Sequence, residues 1–300
     1  MQKPRATEGS ALSVFITGTI NFYGNGGIDM MKTNVETRVK KRSHVLLTCM
    51  LFLAVLLVLS VAYAQAQGSD AKPFLKAMSD YVSSQKTIEL TFDSDIEVIT
   101  PQLEKIQFTN SGKMLLARPD KVYAHRVGGY ADVELYFDGK IVSVYGKHSN
   151  GYAQLDAPGT VDQLIETLRM GYGVALPGAD LLLSHSYDVL VAGVKEAKHI
   201  GRGVIDGVEC EHLAFRNFDT DWQLWVEVGK TPIPRKMVIT SKTLNSAPQY
   251  TLRIKGWKTG VEPARSTFAF TPPAKAEKMS PDALIDLDEL PQTKTEGGNK

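Results

Sequence analysis

The chain has 300 residues, 34 Lys and Arg against 33 Asp and Glu, and 43% hydrophobic residues. A formal charge of +1 leaves no basic excess to draw the molecule onto nucleic acid or anionic lipid, so neither is expected as a primary target. Two cysteines, Cys49 and Cys210, supply no disulfide framework.

Residues 1–30 carry no foldable pattern, and Met30-Met31 suggests a start there. The basic cluster Arg38, Lys40, Lys41, Arg42 then precedes an uncharged apolar run, Val45 to Val61. Ala62-Tyr63-Ala64-Gln65-Ala66 follows and offers two small-x-small cleavage frames, ending at Ala64 or Ala66. Residues 31–66 therefore read as a secretory signal, with the mature protein starting near Gln67 in the periplasm. The alternative is an inner-membrane anchor formed by an uncleaved 45–61 segment, since that run approaches the ~17–25 residues needed to span a bilayer. Leu46-Leu47-Thr48-Cys49 only approximates a lipobox. If the signal is cleaved, membrane contact is transient, and 27 basic and 30 acidic side chains remain with Cys210 as the lone thiol.

Asp70 to Ser84 predicts a helix with Phe74, Met78, Tyr81 and Val82 on one face. From Thr87 to Val98 the period becomes two: Ile88, Leu90, Phe92, Ile96 and Val98 share a phase with Ser94, opposite Glu89, Thr91, Asp93, Asp95 and Glu97. So long a strand with one wet face predicts a large, curved antiparallel sheet. Further strands are predicted at Lys105 to Thr109, Lys113 to Arg118, Val122 to Val127, Val133 to Phe137 and Ile141 to Tyr145. Asp138-Gly139 suits a type I′ hairpin between the last two. Thr160-x-x-Gln163 reads as a capping box opening a helix with Val161, Leu164, Ile165, Leu168 and Tyr172 as its apolar stripe. Pro177-Gly178-Ala179-Asp180 starts a short helical piece carrying Leu181, Leu182 and Leu183. Strands resume at Tyr187 to Val191, Glu196 to Arg202, Val208 to Phe218, Trp222 to Val228, Arg235 to Thr240, Gln249 to Trp257 and Thr267 to Phe270. Residues 274–300, rich in Pro, Lys, Asp and Glu, read as a flexible tail with at most a short helix near Pro281 to Ile285. The fold class is α+β, a single domain over 67–273.

Lys113-Met114-Leu115-Leu116-Ala117-Arg118-Pro119, Tyr136-Phe137-Asp138-Gly139-Lys140 and Phe268-Ala269-Phe270-Thr271-Pro272-Pro273 occur in an order that resembles the periplasmic lipoprotein carriers LolA and LolB. With His212 to Arg216 and Asp221 to Trp225, the chain looks most like predicted periplasmic proteins of unknown function in that superfamily. The resemblance spans about Asp70 to Pro273. It implies a strongly curved antiparallel half-barrel covered by helices, with an apolar cavity between sheet and helices. It also implies a role for Arg118, at the position of the carriers' arginine that bonds the helical lid. The chain departs from the carriers by extra length, especially around Gly146 to Leu190 and in the tail.

No signature of hydrolase, phosphate or zinc chemistry is present, no cofactor or metal is expected, and the protein is not expected to be an enzyme. Cys210 and His212 share a strand face, which reads as a buried thiol beside a satisfied histidine rather than a metal or nucleophile site. Asp219-Thr220-Asp221 reads as a turn rather than a calcium site. Trp222 shares its phase with Leu224, Val226 and Val228, so it is the inward tryptophan and Trp225 the outward one. The candidate ligand-binding residues are Leu164, Leu168, Tyr172, Leu181, Leu183, Trp222 and Leu224, with Arg118 as a lid latch. The expected function is to carry a lipid or acylated protein cargo by its acyl chains. An envelope sensor binding a protein partner is the alternative, and a hydrolase using Cys210 or His212 ranks last.

Overall fold

A computed structural model describes residues 70–281 apart from 175, all within one compact unit. The leader and the 31–66 signal lie outside the described residues, as does most of the predicted 281–285 helix.

Helix α1 (Lys72–Ser84) starts where Asp70 Oδ1 accepts the Lys72 N–H at 3.0 Å and Pro73 stands in the first turn, where a missing N–H costs nothing. It buries Leu75, Met78, Ser79 and Val82. The stripe is thus rotated from the expected one: Leu75 is fully buried, while Phe74 and Tyr81 are only half-buried at its margins.

β1 (Thr87–Ile99) and β2 (Lys105–Ala117) form a hairpin of two thirteen-residue strands in unbroken register, roughly 43 Å long at about 3.3 Å per residue. The two short strands expected here are one, because Asn110-Ser111-Gly112 continues the ladder opposite Phe92 to Ser94. β3 (Lys121–Gly128), β4 (Asp132–Phe137), β5 (Ile141–Gly146) and β6 (Gly151–Asp156) continue the meander. β6 has no predicted counterpart, since Gly151-Tyr152-Ala153-Gln154 offers no large apolar alternation. In the 138–141 turn only Gly139 takes a positive φ, +93°, so it is not the predicted type I′ turn. The Asp138 carboxylate instead accepts the N–H groups of Lys140 and Ile141 at 2.9 Å each.

β7 (Glu196–Ile205), β8 (Val208–Arg216), β9 (Thr220–Glu227), β10 (Pro234–Ser241) and β11 (Gln249–Thr259) form a second meander, which joins the first where β11 pairs with β1. With the short strand β12 (Glu277–Lys278) at one edge, the sheet runs β12-β6-β5-β4-β3-β2-β1-β11-β10-β9-β8-β7 and does not close. Irregularities at Thr91/Phe92, His199/Gly201 and Pro234/Lys236 add the local bend that lets so wide a sheet curl. The expected α+β half-barrel is the observed architecture.

Two predicted strands are not strands. Residues 186–191 form helix α3 (Ser186–Val191), whose Tyr187, Val189 and Val191 pack into the core beside α1, so tertiary contacts override the β-branched composition. Arg265–Phe268 is a 3₁₀ turn that buries Phe268 against β3. The tail does not become free at 274. Glu277–Lys278 forms β12, parallel to β6, with Glu277 N–H on Asn150 O at 2.9 Å and Met279 N–H on Tyr152 O at 2.7 Å.

Candidate functional site

β6 and β7 lie far apart in the sheet, and the chain between them crosses the concave face as a helical insertion. Its first helix, α2 (Val161–Glu166), opens with the expected capping box: Gln163 Oε1 accepts the Thr160 N–H at 2.8 Å, and Thr160 Oγ1 accepts the Gln163 N–H at 3.3 Å. The helix widens into a π turn over Thr167–Gly171, which buries Leu168 and leaves Met170 exposed. Gly178, with φ +83°, then starts a 3₁₀ turn, Ala179–Leu182. A Cβ on Gly178 would sit 2.8 Å from Leu252 Cδ2 of β11, a side-chain end that can move aside, so it is the left-handed φ that favours glycine at the start of this turn.

The underside of the insertion is apolar. Leu164, Leu168, Leu181 and Leu183 are buried in one cluster with Trp222 and Leu224 of β9, and half-buried Tyr172 packs against that cluster. Trp222 stacks on Phe215 with ring centroids 3.9 Å apart and planes 12° from parallel. Trp225, on the other face, stacks on His212 at 4.1 Å beneath Lys236.

Among the described residues, backbone bonds fasten the insertion at its two ends, where Val161 N–H donates to Pro119 O at 2.9 Å and Lys195 N–H to Arg216 O at 2.7 Å, and side chains tie it between them. Arg118, at the end of β2, donates from Nη2 to Leu182 O at 2.6 Å and from Nε to Gln85 O at 3.2 Å. One guanidinium thus joins the insertion, the end of α1 and the sheet. Burial pulls its pKa below the ordinary arginine value, while the Asp162 carboxylate opposes that shift. Asp162 in turn accepts the Ser184 N–H at 3.2 Å and bonds the Ser184 hydroxyl and His185 Nδ1. Arg169 clamps the loop from inside, with Nη1 on Asp180 Oδ1 at 2.5 Å and Nη2 on Leu176 O at 2.8 Å.

A second tie escapes sequence reading. Glu211 points to the concave side, where its carboxylate meets His199 Nε2 at 2.7 Å and Arg202 Nε at 3.1 Å, and the His199 ring stacks on Phe74 of α1 at 4.5 Å. Glu211 therefore does not crowd the thiol of Cys210 on the opposite face. Burial, first of all, raises the Cys210 pKa, and its Sγ lies 3.5 Å from Val208 O. His212 is engaged by Gln223 Oε1 at 2.9 Å rather than by the cysteine. Asp221 is held below the usual carboxylate range, chiefly by Lys242 at 2.9 Å. Among the described residues no group of three or more His, Cys, Asp or Glu side chains could hold a metal. A depression of about 200 Å³ between Glu196, Lys198, Phe215, Arg216 and Trp222 is below the roughly 300 Å³ at which ligand pockets begin.

A family described as "Predicted periplasmic protein (DUF2092)" matches residues 71–280. The chain belongs to this family. It is therefore periplasmic, as residues 38–66 predict, and no described helix is long and apolar enough to cross a membrane. Among solved structures, an uncharacterized conserved protein from Thermus thermophilus is similar with TM-score 0.43 and 9% identity, covering 70% of this chain and 98% of that one. The Pseudomonas aeruginosa MucA/MucB complex gives 0.39 and 13%, covering 68% and 62%. A LolA superfamily protein from Nitrosomonas europaea gives 0.32 and 11%, covering 67% and 98%. No curated protein matches. Likenesses this distant transfer no activity.

Proposed function

We propose that this protein is a periplasmic carrier that holds acyl chains, free or attached to a lipid or protein, between its sheet and a displaceable insertion. One observation carries the reading: the leucines of the insertion lie on the leucines and tryptophan of the sheet, while beyond the backbone bonds at its start, such as Val161 N–H on Pro119 O at 2.9 Å, Arg118 is the side chain at the end of β2 that ties the insertion's backbone. Apolar contacts of this kind are exchangeable, because a hydrocarbon chain offers the sheet the same relief from water, about 0.8 kcal/mol per buried CH₂. The directional bonds set how readily the insertion lifts. The test is to purify the exported protein from a Gram-negative host, extract it with organic solvent and identify lipids by mass spectrometry, in parallel with titration by a fluorescent fatty acid. Bound lipid, saturable probe uptake, and weaker retention in Arg118→Leu are expected. Absence of both lipid and probe binding overturns the reading.

A second reading is a module that docks an envelope protein. It is favoured by apolar side chains exposed toward one end of the sheet, Leu103, Ile106, Val127 and Tyr130, with Tyr130 edge-on to Phe108 at 5.4 Å. Lipid-free protein that ignores the fatty acid would leave this reading in possession.

A further inference from the structure

Ser94 interrupts the apolar phase of β1, and Asn110 sits in the stretch of β2 whose polarity hides the strand. The structure makes them register partners on the concave face. Ser94 is 1% exposed and Asn110 4%, yet neither Ser94 Oγ nor Asn110 Nδ2 has a hydrogen-bond partner. Around them stand Phe92, Leu252 and two glycines: Phe92 fills the space over Gly112, and the Asn110 amide lies over Gly128. Leu252, the other register partner of Ser94, reaches toward Gly178 of the insertion, its Cδ2 lying 2.8 Å from where a Cβ on that glycine would stand. Arg126 stands across from Gly112 and shares the face.

Buried donors without acceptors are costly, and two apolar side chains would fill the same places without that cost. A pair of them in an apolar wall, beside a cation and under a segment bonded mainly at its ends, has the composition of a ligand site: mostly hydrocarbon, with a small number of placed polar groups. We propose that Ser94 and Asn110 form a subsite for the carbonyl or carboxyl oxygen of the ligand's acyl group, which fixes the head of the chain while its tail runs along the leucines. This rests on the carrier reading and adds to it the chemical class of ligand: acyl compounds rather than plain hydrocarbons.

The test uses the exported protein and three probes of equal chain length: a fluorescent polyene fatty acid, its methyl ester, and the corresponding hydrocarbon, the last read by displacement. Wild type is expected to bind acid or ester about tenfold more tightly than hydrocarbon. Ser94→Val/Asn110→Leu is expected to lose that preference while binding the hydrocarbon as before. Ser94→Ala, the smaller change, should lose part of it, and thermal melting checks that both variants fold. Preference for the acid alone assigns a free carboxylate near Arg126; equal binding of acid and ester assigns the carbonyl. If wild type binds all three probes equally, or the variants keep the preference, the subsite is refuted and the carrier reading stands. If no probe binds, the carrier reading itself falls.

Discussion

The two faces of the sheet are built on different principles. The convex face is closed by charge and aromatic pairing: Glu89 meets Lys258 at 3.0 Å, Asp93 pairs with Lys255 and Ser111, and Glu97 meets Lys105 at 3.0 Å, so the acidic row of β1 is matched strand by strand. Nearby, Glu134 accepts hydroxyls from Tyr136 at 2.8 Å and Tyr123 at 3.2 Å, and Phe270 lies among Tyr136, Tyr145 and Tyr152 at 5.4, 6.0 and 5.3 Å. The concave face keeps water out with aliphatic side chains, about a third of them supplied by the insertion, which is bonded mainly at its ends and through Arg118. Polar matching makes a surface permanent, whereas apolar matching under a cover tied mainly at its ends leaves the surface available to another occupant.

The largest test of this contrast is Leu224→Ala. Leu224 is 0% exposed and belongs to the concave cluster, so denaturant unfolding should show a loss of about 2–5 kcal/mol. Arg118→Leu comes next, at about 2 kcal/mol, since bonds from a charged donor contribute roughly 1.5–3 kcal/mol and two carbonyls lose their partner. Hydrogen exchange should rise within 160–191 and at the end of α1 but stay unchanged in β3 to β5; uniform acceleration would deny the insertion its independence. On the convex face, burial alone would raise the Glu134 carboxyl, but hydrogen bonds from Tyr136 and Lys147 outweigh it and hold the pKa below its ordinary value. A depressed folded pKa contributes stability above the unfolded value of about 4.3 and loses it as pH falls through the folded one. Glu134→Gln should therefore show a flatter stability profile than wild type as pH falls below about 4.3, measured by urea unfolding. Lys258→Ala, which breaks an exposed pair, should change stability by less than about 1 kcal/mol.

Regular alternation made β1 legible from sequence, and Thr160 with Gln163 made the start of α2 legible, because each pattern is enforced locally. The 186–191 segment misled for the opposite reason: Val189, Leu190 and Val191 favour a strand in isolation and become helical against α1. Gly151 to Asp156 was silent because two of its three inward positions are Gly151 and Ala153, too small to mark a strand, and only Leu155 is large. The inward phase of Trp222 and Leu224 followed from alternation, but the reach of Arg118 to Leu182 spans 64 positions and was suggested by resemblance alone. Ser94 was visible as a fault in a pattern; its partnership with Asn110 needed the register of the hairpin.

The seam between the two meanders has a further consequence. Ile88 pairs with Thr259, so the first strand of the domain waits for one of the last before its second edge is covered. A chain emerging vectorially from a translocon, amino terminus first, would expose that bare β edge while most of the remaining sequence is still in transit, and such edges invite pairing with other molecules. The β1–β11 ladder is the longest-range pairing among the described strands, and pairing of segments so far apart in sequence is intrinsically slow.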